Sequence, residues 1–245
     1  KKTIGKITKK TKAIIAPHIY GLTVDLDPLI KICKKKNIRI IEDAAECLGL
    51  KYKGLPCGSF GDVSTFSFYY GHHMTTVEGG FVSTNDKDLY EIMRAKRSHG
   101  MARECSPDVF EKYIKKYPDI DKRFMFITDG YNFRNTEFGA VIGLSQLPRL
   151  NSMIERRIEI CSWFESYINK HKDIFDIPEF EGNSSFCLPF ILKDKNHKLA
   201  LQNYLEENGV ETRPLCSGNL LRQPFLSEYS INIDNPKVDY LHFHG

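Results

Sequence analysis

Two adjacent histidines, His72 and His73, lie between an aromatic run and an acidic glycine turn in the stretch VSTFSFYYGHHMTTVEGG. Imidazole has an ordinary pKa of about 6.5, so a histidine can take up a proton and return it near neutral pH. Ser67 precedes the pair with a hydroxyl group, and Glu78 follows it with a carboxylate. This combination indicates acid–base chemistry on a bound ligand.

A carboxylate stands at the end of another apolar run. Asp43 closes the segment IRIIED, whose β-branched residues predict a strand, and AAECL after it favours a helix. An aspartate in that position can simply cap the next helix. If Ala44 begins a helix, Glu46 lies on the same side as Asp43, although Glu46 can also be a solvent-facing glutamate.

The elements that position these residues alternate between strand and helix. Such a β-α-β-α order predicts a parallel sheet covered by helices, with ligands at the carboxyl ends of the strands. The region from Cys105 to Thr128 is mixed and charged, and we expect it to be irregular. The predicted elements are strands at Lys12–Pro17, Ile38–Ile41, Val63–Tyr70 and Gly80–Thr84 and helices at Leu26–Lys36 and Lys87–Ser98.

The second half of the chain has a different pattern. Helices are predicted over Glu137–Leu147 and Arg149–His171, with a break at Pro148. After Asp173 the pattern predicts a smaller α+β domain. We therefore expect a large domain over residues 1–150 and a small C-terminal domain over residues 151–245. The predicted elements of the small domain are strands at Phe186–Leu192 and Val210–Arg213 and a helix at Lys198–Asn208.

Composition excludes several classes of protein. The 245 residues are 41% hydrophobic, which is enough for a sizeable core, and the net charge of +4 is too small for a dedicated nucleic-acid binder. Apolar runs are far shorter than the roughly 20 residues that span a bilayer, so we expect no membrane anchor. Seven cysteines without a C-x-x-C pair argue against a zinc ribbon, an iron–sulfur cluster or secreted disulfides. A cytoplasmic protein with reduced thiols is expected.

Three separated segments together resemble one family: IEDAAECLG, GSFGDVSTFSFYYGHHMTTVEGGFVSTND and GYNFRNTEFGAVIGLSQL. They are similar to the pyridoxal-phosphate-dependent nucleotide-sugar aminotransferases named DegT/DnrJ/EryC1/StrS, in the family's order. The resemblance implies a type I aspartate-aminotransferase fold and a homodimer with active sites at its interface. It also implies that the family's N-terminal portion is missing here and that the end at LHFHG is clipped.

The resemblance assigns roles to four residues of the cofactor site. Asp43 matches the aspartate that pairs with the protonated pyridine nitrogen of the cofactor, where a carboxylate keeps the ring cationic. Glu46 matches a position beside the ring, and Ser67 matches a serine whose hydroxyl binds the cofactor phosphate. Asn132 in GYNFR resembles an asparagine that reaches the phosphate of the neighbouring subunit.

The chain departs from the family at the residue that should hold the cofactor. The family has an asparagine–lysine pair there, and the lysine binds the cofactor covalently, whereas this chain has Gly71 and His72. Imidazole cannot form that bond. The substitution resembles the 4-keto-6-deoxyhexose 3-dehydratases, in which a histidine is the catalytic base. A later loop resembles the sugar-nucleotide site of that branch and implies substrate contacts from Arg213, Asn219 and Arg222, although surface ion pairing explains each arginine taken singly.

The resemblance therefore implies a lyase that uses pyridoxal phosphate or pyridoxamine phosphate and takes glutamate as amino donor. Its substrate would be a nucleotide-linked 4-keto-6-deoxyhexose that loses its C3 hydroxyl, with guanosine or cytidine diphosphate as the nucleotide. One alternative is an aminotransferase with Lys51 or Lys53 as the base, and another is an inactive sugar-nucleotide-binding paralogue with a structural His72. A metal held by the two histidines and Glu78 is a further alternative.

Overall fold

The computed structural model describes residues 2–178, 184–229 and 235–245. The chain packs as two compact units, which we call the large unit (Lys1–Arg156 with Gly182–Phe186) and the small unit (Arg157–Glu181 with Cys187–Gly245). Helix Leu150–Ile168 begins in the large unit and continues into the small unit. Each unit is described separately below.

The strands described in the large unit are β1 (Ala13–Pro17), β2 (Arg39–Asp43), β3 (Lys51–Tyr52), β4 (Leu55–Pro56), β5 (Val63–Ser67) and β6 (Gly80–Ser83). Four of them form one sheet with the order β1-β2-β5-β6, and β3 and β4 form a separate antiparallel pair. The first three strands of the larger sheet are parallel, and β6 runs antiparallel to β5, so this sheet is mostly parallel, as predicted. The helices of the large unit are α1 (Lys2–Gly5), α2 (Leu26–Lys36), α3 (Lys87–Arg97), α4 (Pro107–Lys116), α5 (Glu137–Gln146) and the start of α6 (Leu150–Ile168).

Helix α2 shows how the sequence pattern produces the core of this unit. Leu26, Leu29 and Cys33 follow helical spacing, and all three are buried against Ile14 and Ile40 of the sheet. Burying one leucine side chain contributes about 1.5–3 kcal/mol to the hydrophobic term. The helix ends at Lys36, as predicted, and Asn37 after it has the left-handed conformation that is common at helix ends.

Three predictions about local structure were wrong. Residues 44–48 form consecutive turns and no helix, because the Asp43 side chain accepts the Ala45 N–H, Cys47 N bonds to Ala44 O, and Gly49 has a φ of +90°. The region expected to be irregular contains helix α4, in which Pro107 occupies the first turn, where a missing N–H costs nothing. Residues 210–214 have no regular secondary structure.

The small unit has a short antiparallel pair of strands and two further helices. Its strands β7 (Phe175–Asp176) and β8 (Ile191–Leu192) pair with each other, so the strand predicted over residues 186–192 is much shorter. Helices α7 (Lys198–Glu207) and α8 (Pro236–His244) complete the unit together with the rest of α6. Lys198 Nζ donates to the backbone carbonyl of His242 at 3.0 Å, which ties α7 to the end of α8.

A buried carboxylate organises the end of strand β2. Glu42 has no exposed surface, and its side chain accepts hydrogen bonds from the backbone N–H groups of Gly58, Phe60 and Gly61. His18 Nε2 lies 3.1 Å from Glu42 Oε2, while its Nδ1 accepts from Val24 N, so Nε2 carries the hydrogen and donates. Burial alone would raise the pKa of Glu42, but the bonds from His18 and the backbone outweigh it and lower that pKa.

We predict that Glu42→Gln lowers the free energy of unfolding by about 2–4 kcal/mol at pH 7, because the amide presents hydrogens to backbone donors. The folded-state pKa of Glu42 lies below its ordinary value, so its stabilising contribution is present above the unfolded pKa and is lost as the pH falls through the folded pKa. The difference between the wild type and the variant should therefore shrink in acid. Urea unfolding at several pH values measures it.

The control for this experiment is Glu111→Gln, at an exposed position on α4, which should change stability by less than about 0.5 kcal/mol. A Glu42→Gln variant as stable as this control at pH 7 would contradict the role given to the buried carboxylate.

Candidate active site

The candidate site lies at the carboxyl ends of strands β2 and β5. Asp43 pairs with Thr65 in the parallel register, and alternation along β5 puts Ser67 on the same sheet face as Thr65. Glu42 points to the opposite face, where it is buried. The sheet therefore brings a carboxylate and a hydroxyl together on one face of this edge.

The backbone of one residue, Ala45, connects Asp43 to His72 through two hydrogen bonds. Asp43 Oδ1 accepts the backbone N–H of Ala45 at 3.2 Å, and His72 Nδ1 lies 2.6 Å from the backbone oxygen of Ala45. A carbonyl oxygen only accepts, so Nδ1 must carry the hydrogen and donate it. In the neutral ring, Nε2 is then left with its lone pair, which makes Nε2 the basic atom.

The surroundings of His72 leave that basic atom available. The imidazole is half-buried, with the Phe186 ring at a centroid distance of 5.0 Å and the Tyr69 ring at 6.3 Å. No hydrogen bond to Nε2 is found among the residues that the structure describes. The arrangement can hold a proton at Nε2 and exchange it with a bound molecule.

His73 occupies a different environment. It is 1% exposed, and its Nε2 lies 3.0 Å from the Ser184 hydroxyl and within hydrogen-bond distance of the Ser184 backbone oxygen. Ser184 Oγ in turn donates to the carbonyl of Leu48. These contacts support a structural role for His73.

The other predicted cofactor residues differ in their contacts. Ser67 Oγ accepts the backbone N–H of Tyr69 at 3.2 Å, which leaves its hydroxyl hydrogen to donate elsewhere. Glu46 Oε2 accepts the backbone N–H of Tyr20 at 2.7 Å, so this side chain holds a neighbouring loop. Asn132 is exposed and bridges to Ser98 through its backbone. Its predicted reach to another subunit stays a prediction.

Two of the predicted substrate residues meet in the small unit. Asp239 Oδ1 accepts from Asn219 Nδ2 at 2.9 Å and from Arg222 Nε at 2.6 Å, and the Arg222 guanidinium lies 5.0 Å from the Phe243 ring centroid. The hydrogen bonds from Arg222 and Asn219 lower the pKa of Asp239 to about 2. The terminal nitrogens of Arg222 make no hydrogen bond to any residue in the described part of the chain, so they can grip an anion.

Arg213 is not part of this cluster. Its Nε and Nη2 both donate to Glu211 Oε1, at 2.9 and 2.6 Å, on an exposed surface. Between Arg213 and Arg222, residues Cys216 and Ser217 have φ angles of +49° and +58°, which is strained for residues with a side chain. Strain of this kind is typical of loops that bind ligands, and the substrate roles of these residues remain predictions.

Comparison with known proteins identifies the family of this chain. The model of the DegT/DnrJ/EryC1/StrS aminotransferase family matches residues 2–236. The chain belongs to this family. The resemblance read from the sequence is confirmed, and so is the predicted aspartate-aminotransferase fold.

Relatives within the DegT/DnrJ/EryC1/StrS family include both dehydratases and synthases. The chain is 35% identical over 245 residues to GDP-4-keto-6-deoxy-D-mannose 3-dehydratase of Yersinia pseudotuberculosis, which covers 98% of this chain and 62% of that protein. It is also 35% identical over 214 residues to GDP-perosamine synthase of Escherichia coli, which covers 86% of this chain and 53% of that protein.

A solved structure shares the fold over almost the whole chain. GDP-4-keto-6-deoxymannose-3-dehydratase with a trapped PLP-glutamate geminal diamine superposes with a TM-score of 0.84 at 28% identity, covering 99% of this chain and 64% of that chain. The chain thus spans less than two thirds of the length of the relatives it matches.

The donor set of this DegT/DnrJ/EryC1/StrS chain fits pyridoxal phosphate, the cofactor of its solved relative. Among the described residues, Asp43 makes a side-chain hydrogen bond through Oδ1 alone, so its second carboxylate oxygen can accept the hydrogen of a protonated ring nitrogen. The Ser67 hydroxyl hydrogen can go to a phosphate oxygen. His72 is joined to the same strand end through the Ala45 carbonyl. An acceptor for the ring, a donor for the phosphate and a base are therefore all present.

Neither alternative lysine fits the role of a base that binds the cofactor. Lys53 forms an ion pair with Asp27, and that hydrogen bond raises the pKa of its ammonium group, which makes the amine a poorer nucleophile. Lys51 is exposed on the β3–β4 hairpin.

Within the residues that the structure describes, no group of three or more histidine, cysteine, aspartate or glutamate side chains could hold a metal ion. No described helix combines the length and apolarity needed to cross a bilayer.

Sequence reasoning missed the residues that hold the site in place. The sequence analysis assigns no role to Glu42, His18 or Ser184. An acidic residue at an inward position of a β-rich run is a signal that could have found Glu42, because an unpaired buried carboxylate is too costly to keep. The Ala45 carbonyl has no sequence signal, since any residue supplies one.

Proposed function

We propose that this protein is a pyridoxamine-phosphate-dependent lyase that removes the C3 hydroxyl of a nucleotide-linked 4-keto-6-deoxyhexose. The observation that carries the proposal is His72, whose Nδ1 bonds to Ala45 O beside Asp43 at the position where the family resemblance expects lysine. A histidine there can move protons but cannot bind the cofactor covalently. The dehydratase relative supports this reading.

The residues of the chain divide the work as follows. Asp43 accepts the ring N–H and keeps the ring cationic, while Ser67 donates to the phosphate. When bound, pyridoxamine phosphate supplies an amine that can join the C4 ketone and a ring that accepts electrons. His72 Nε2 takes up the proton released beside that amine and returns a proton to the departing C3 hydroxyl.

We propose a guanosine diphosphate sugar as the substrate, because both named relatives act on GDP-linked sugars or make them. The fork of Arg222, fixed by Asp239, has the planar geometry that suits phosphate oxygens. Glutamate is the proposed amino donor, since the solved relative holds a PLP-glutamate adduct. A cytoplasmic location is proposed from the seven free cysteines.

We also propose that the protein acts as a homodimer whose subunits meet at the outer side of α5. Phe138, Val141 and Leu144 recur at helical spacing there and are 84%, 67% and 67% exposed. Tyr131 and Phe133, which flank Asn132, stack on each other at 4.9 Å and are also exposed. An exposed cluster of large apolar side chains favours contact with another protein surface. A second copy of the chain packed there would bring Asn132 of one subunit towards the cofactor site of the other.

An aminotransferase is the second candidate, because GDP-perosamine synthase is as similar in identity as the dehydratase. The two reactions share the amine and the 4-keto sugar. They differ in whether the C3 oxygen leaves and whether the nitrogen remains in the product.

The reaction is tested by incubating the full-length gene product with pyridoxamine phosphate, glutamate and a GDP-linked 4-keto-6-deoxyhexose. We expect release of ammonia and a product that lacks the C3 oxygen, both followed by mass spectrometry. A product that gains an amino group at C4 and keeps its C3 oxygen would establish the aminotransferase instead. Tight binding of the nucleotide sugar without any turnover would indicate the inactive paralogue.

A lysine in place of His72 should bind the cofactor covalently and should no longer transfer the protons of the proposed reaction. We predict that His72→Lys forms a covalent adduct with pyridoxal phosphate that borohydride reduces to a stable pyridoxyl-lysine, whereas the wild type forms none. Deoxygenation should fall by at least about a hundredfold, since a general acid–base contributes 10²–10⁴-fold. Peptide mass spectrometry locates the adduct.

His73→Lys is the matched control, and it should form no adduct because position 73 is buried against Ser184. Deoxygenation that survives His72→Lys unchanged would show that another group moves the proton.

A charge on the outer side of α5 should weaken the dimer. We predict that Phe138→Glu raises the dimer dissociation constant at least about a hundredfold, because a carboxylate in an apolar interface loses its hydration. Light scattering after size-exclusion chromatography measures the mass. Leu199→Glu, at a 67% exposed position on α7, serves as the control and should leave the mass unchanged. A Phe138→Glu variant that stays dimeric would place the interface elsewhere.

A further inference from the structure

We infer that Gln146, the last residue of α5, is a positioning residue for His72. It acts through the loop Phe68–Gly80, which carries the imidazole, and it does not touch the reacting groups. The inference rests on the proposed function for its kinetic consequence, but its structural consequence can be measured without it.

The side-chain amide of Gln146 grips one residue of this loop with two hydrogen bonds. Thr75 N donates to Gln146 Oε1 at 3.0 Å, and Gln146 Nε2 donates to Thr75 O at 2.9 Å. Both groups are partly shielded from water, so the pair resembles one rung of a sheet. Each such bond contributes about 0.5–1.5 kcal/mol, and losing a partner costs more where the remaining group is shielded.

Close packing of α5 on the loop brings Gln146 within reach. A Cβ at Gly143 would lie 3.1 Å from Thr76 Cγ2, and one at Gly139 would lie 3.4 Å from Thr76 Cβ. Both glycines are buried. A side chain at Gly143 would crowd Thr76, while a methyl group at Gly139 would just touch it, so the glycine at position 143 favours this close approach. The opposite side of the helix is the exposed apolar surface described above.

The loop Phe68–Gly80 contains a strained residue, so contacts from outside the loop are needed to keep its conformation. Val77 has a φ of +71°, which is a rare conformation for a β-branched residue. Hydrogen bonds from Thr76 N to Phe68 O and from Phe68 N to Gly79 O close the base of the loop, at 2.8 and 2.9 Å. Strained backbone of this kind persists only when surrounding contacts enforce it, and the two bonds from Gln146 reach the loop from another element.

The position of the imidazole depends on this hold. His72 lies three residues before Thr75 in a turn closed by His72 N and Tyr69 O, and its Nδ1 bond to Ala45 O fixes which nitrogen is basic. If Thr75 loses its two hydrogen bonds to Gln146, the turn can shift, and the hydrogen bond from His72 Nδ1 to Ala45 O loosens. A misplacement of about 1 Å can cost a hundredfold in rate.

The test compares two variants of Gln146 in the full-length gene product. Gln146→Met has a similar shape and removes both bonds, while Gln146→Glu keeps an acceptor for Thr75 N and loses the donor. Ser145→Ala is the matched control, because Ser145 is exposed and its hydroxyl donates only to Ile142 O within the helix.

The first measurement is the tautomer of His72, by long-range ¹H–¹⁵N NMR of the cofactor-free protein at about pH 8.5, which is roughly two pH units above the ordinary pKa of imidazole. We expect the wild type and Ser145→Ala to carry the hydrogen on Nδ1. Gln146→Met should show a mixture of both tautomers. A wild-type tautomer in both Gln146 variants would overturn the inference.

The second measurement is the kinetics of deoxygenation. We expect kcat to fall about tenfold to a hundredfold in Gln146→Met and less in Gln146→Glu, with KM within about twofold of the wild type. Activity that falls only in proportion to the folded fraction, with an unchanged tautomer, would assign Gln146 a structural role and refute positioning. If Gln146→Met does not fold, Gln146→Glu decides on the same two readouts. If the wild type shows no deoxygenation, the proposed function fails while the NMR result still decides this inference.

Discussion

The backbone of Ala45 is the constraint on which the candidate site depends. Its N–H donates to the Asp43 carboxylate and its C=O accepts from the His72 imidazole, so two side chains with different proposed tasks are held by one residue, whose φ and ψ set their separation. In a helix over residues 44–48 this carbonyl would accept a backbone N–H of the helix instead. The consecutive turns observed there leave the carbonyl facing the loop of His72. Irregular backbone after β2 is thus what connects a sheet-borne carboxylate to a loop-borne base.

Adjacent residues of strand β2 point to opposite faces of the sheet, so Glu42 contributes to stability while Asp43 reaches the candidate site. Glu42 faces inward and accepts hydrogen bonds from His18 and from the backbone N–H groups of Gly58, Phe60 and Gly61. Asp43 lies on the opposite face, and within the part of the chain that the structure describes it uses one carboxylate oxygen. A buried carboxylate stabilises little by itself, but it fixes the loop before β5 and therefore the register that places Ser67 on the same face as Asp43. A register shift of one residue would bury Asp43 and expose Glu42, which the fully satisfied Glu42 network makes very costly.

Features set by local pattern could be predicted from the sequence, and features set by long-range contacts could not. Short apolar and β-branched runs located β1 and β2, and helical spacing located α2. The residue types at positions 43, 67 and 72 indicated the chemistry and the family. Helix propensity failed at Ala44–Leu48, because side-chain and turn hydrogen bonds outweighed it. Gln146 lay in a quoted motif without any assigned role, since its partner Thr75 is 71 residues away and nothing local reveals the contact. The same limit applies to Ser184, which lies 111 residues from His73.

With histidine at the position where the family has its cofactor-binding lysine, the cofactor would have to be held by groups at the carboxyl ends of the strands. With histidine at position 72, retention rests on hydrogen bonds and packing, and each of these bonds is worth only a few kcal/mol at most, even with a charged partner. In the proposed reaction glutamate would renew the amine of the cofactor within the site, so a covalent link to the protein is not required. Rigidity then becomes more important than bond strength, because a ligand held by several weak contacts keeps its orientation only if those contacts do not move relative to one another. The hydrogen bonds of the Ala45 backbone, the hydrogen bonds of Glu42 and those between Gln146 and Thr75 each supply rigidity at a different point around the candidate site.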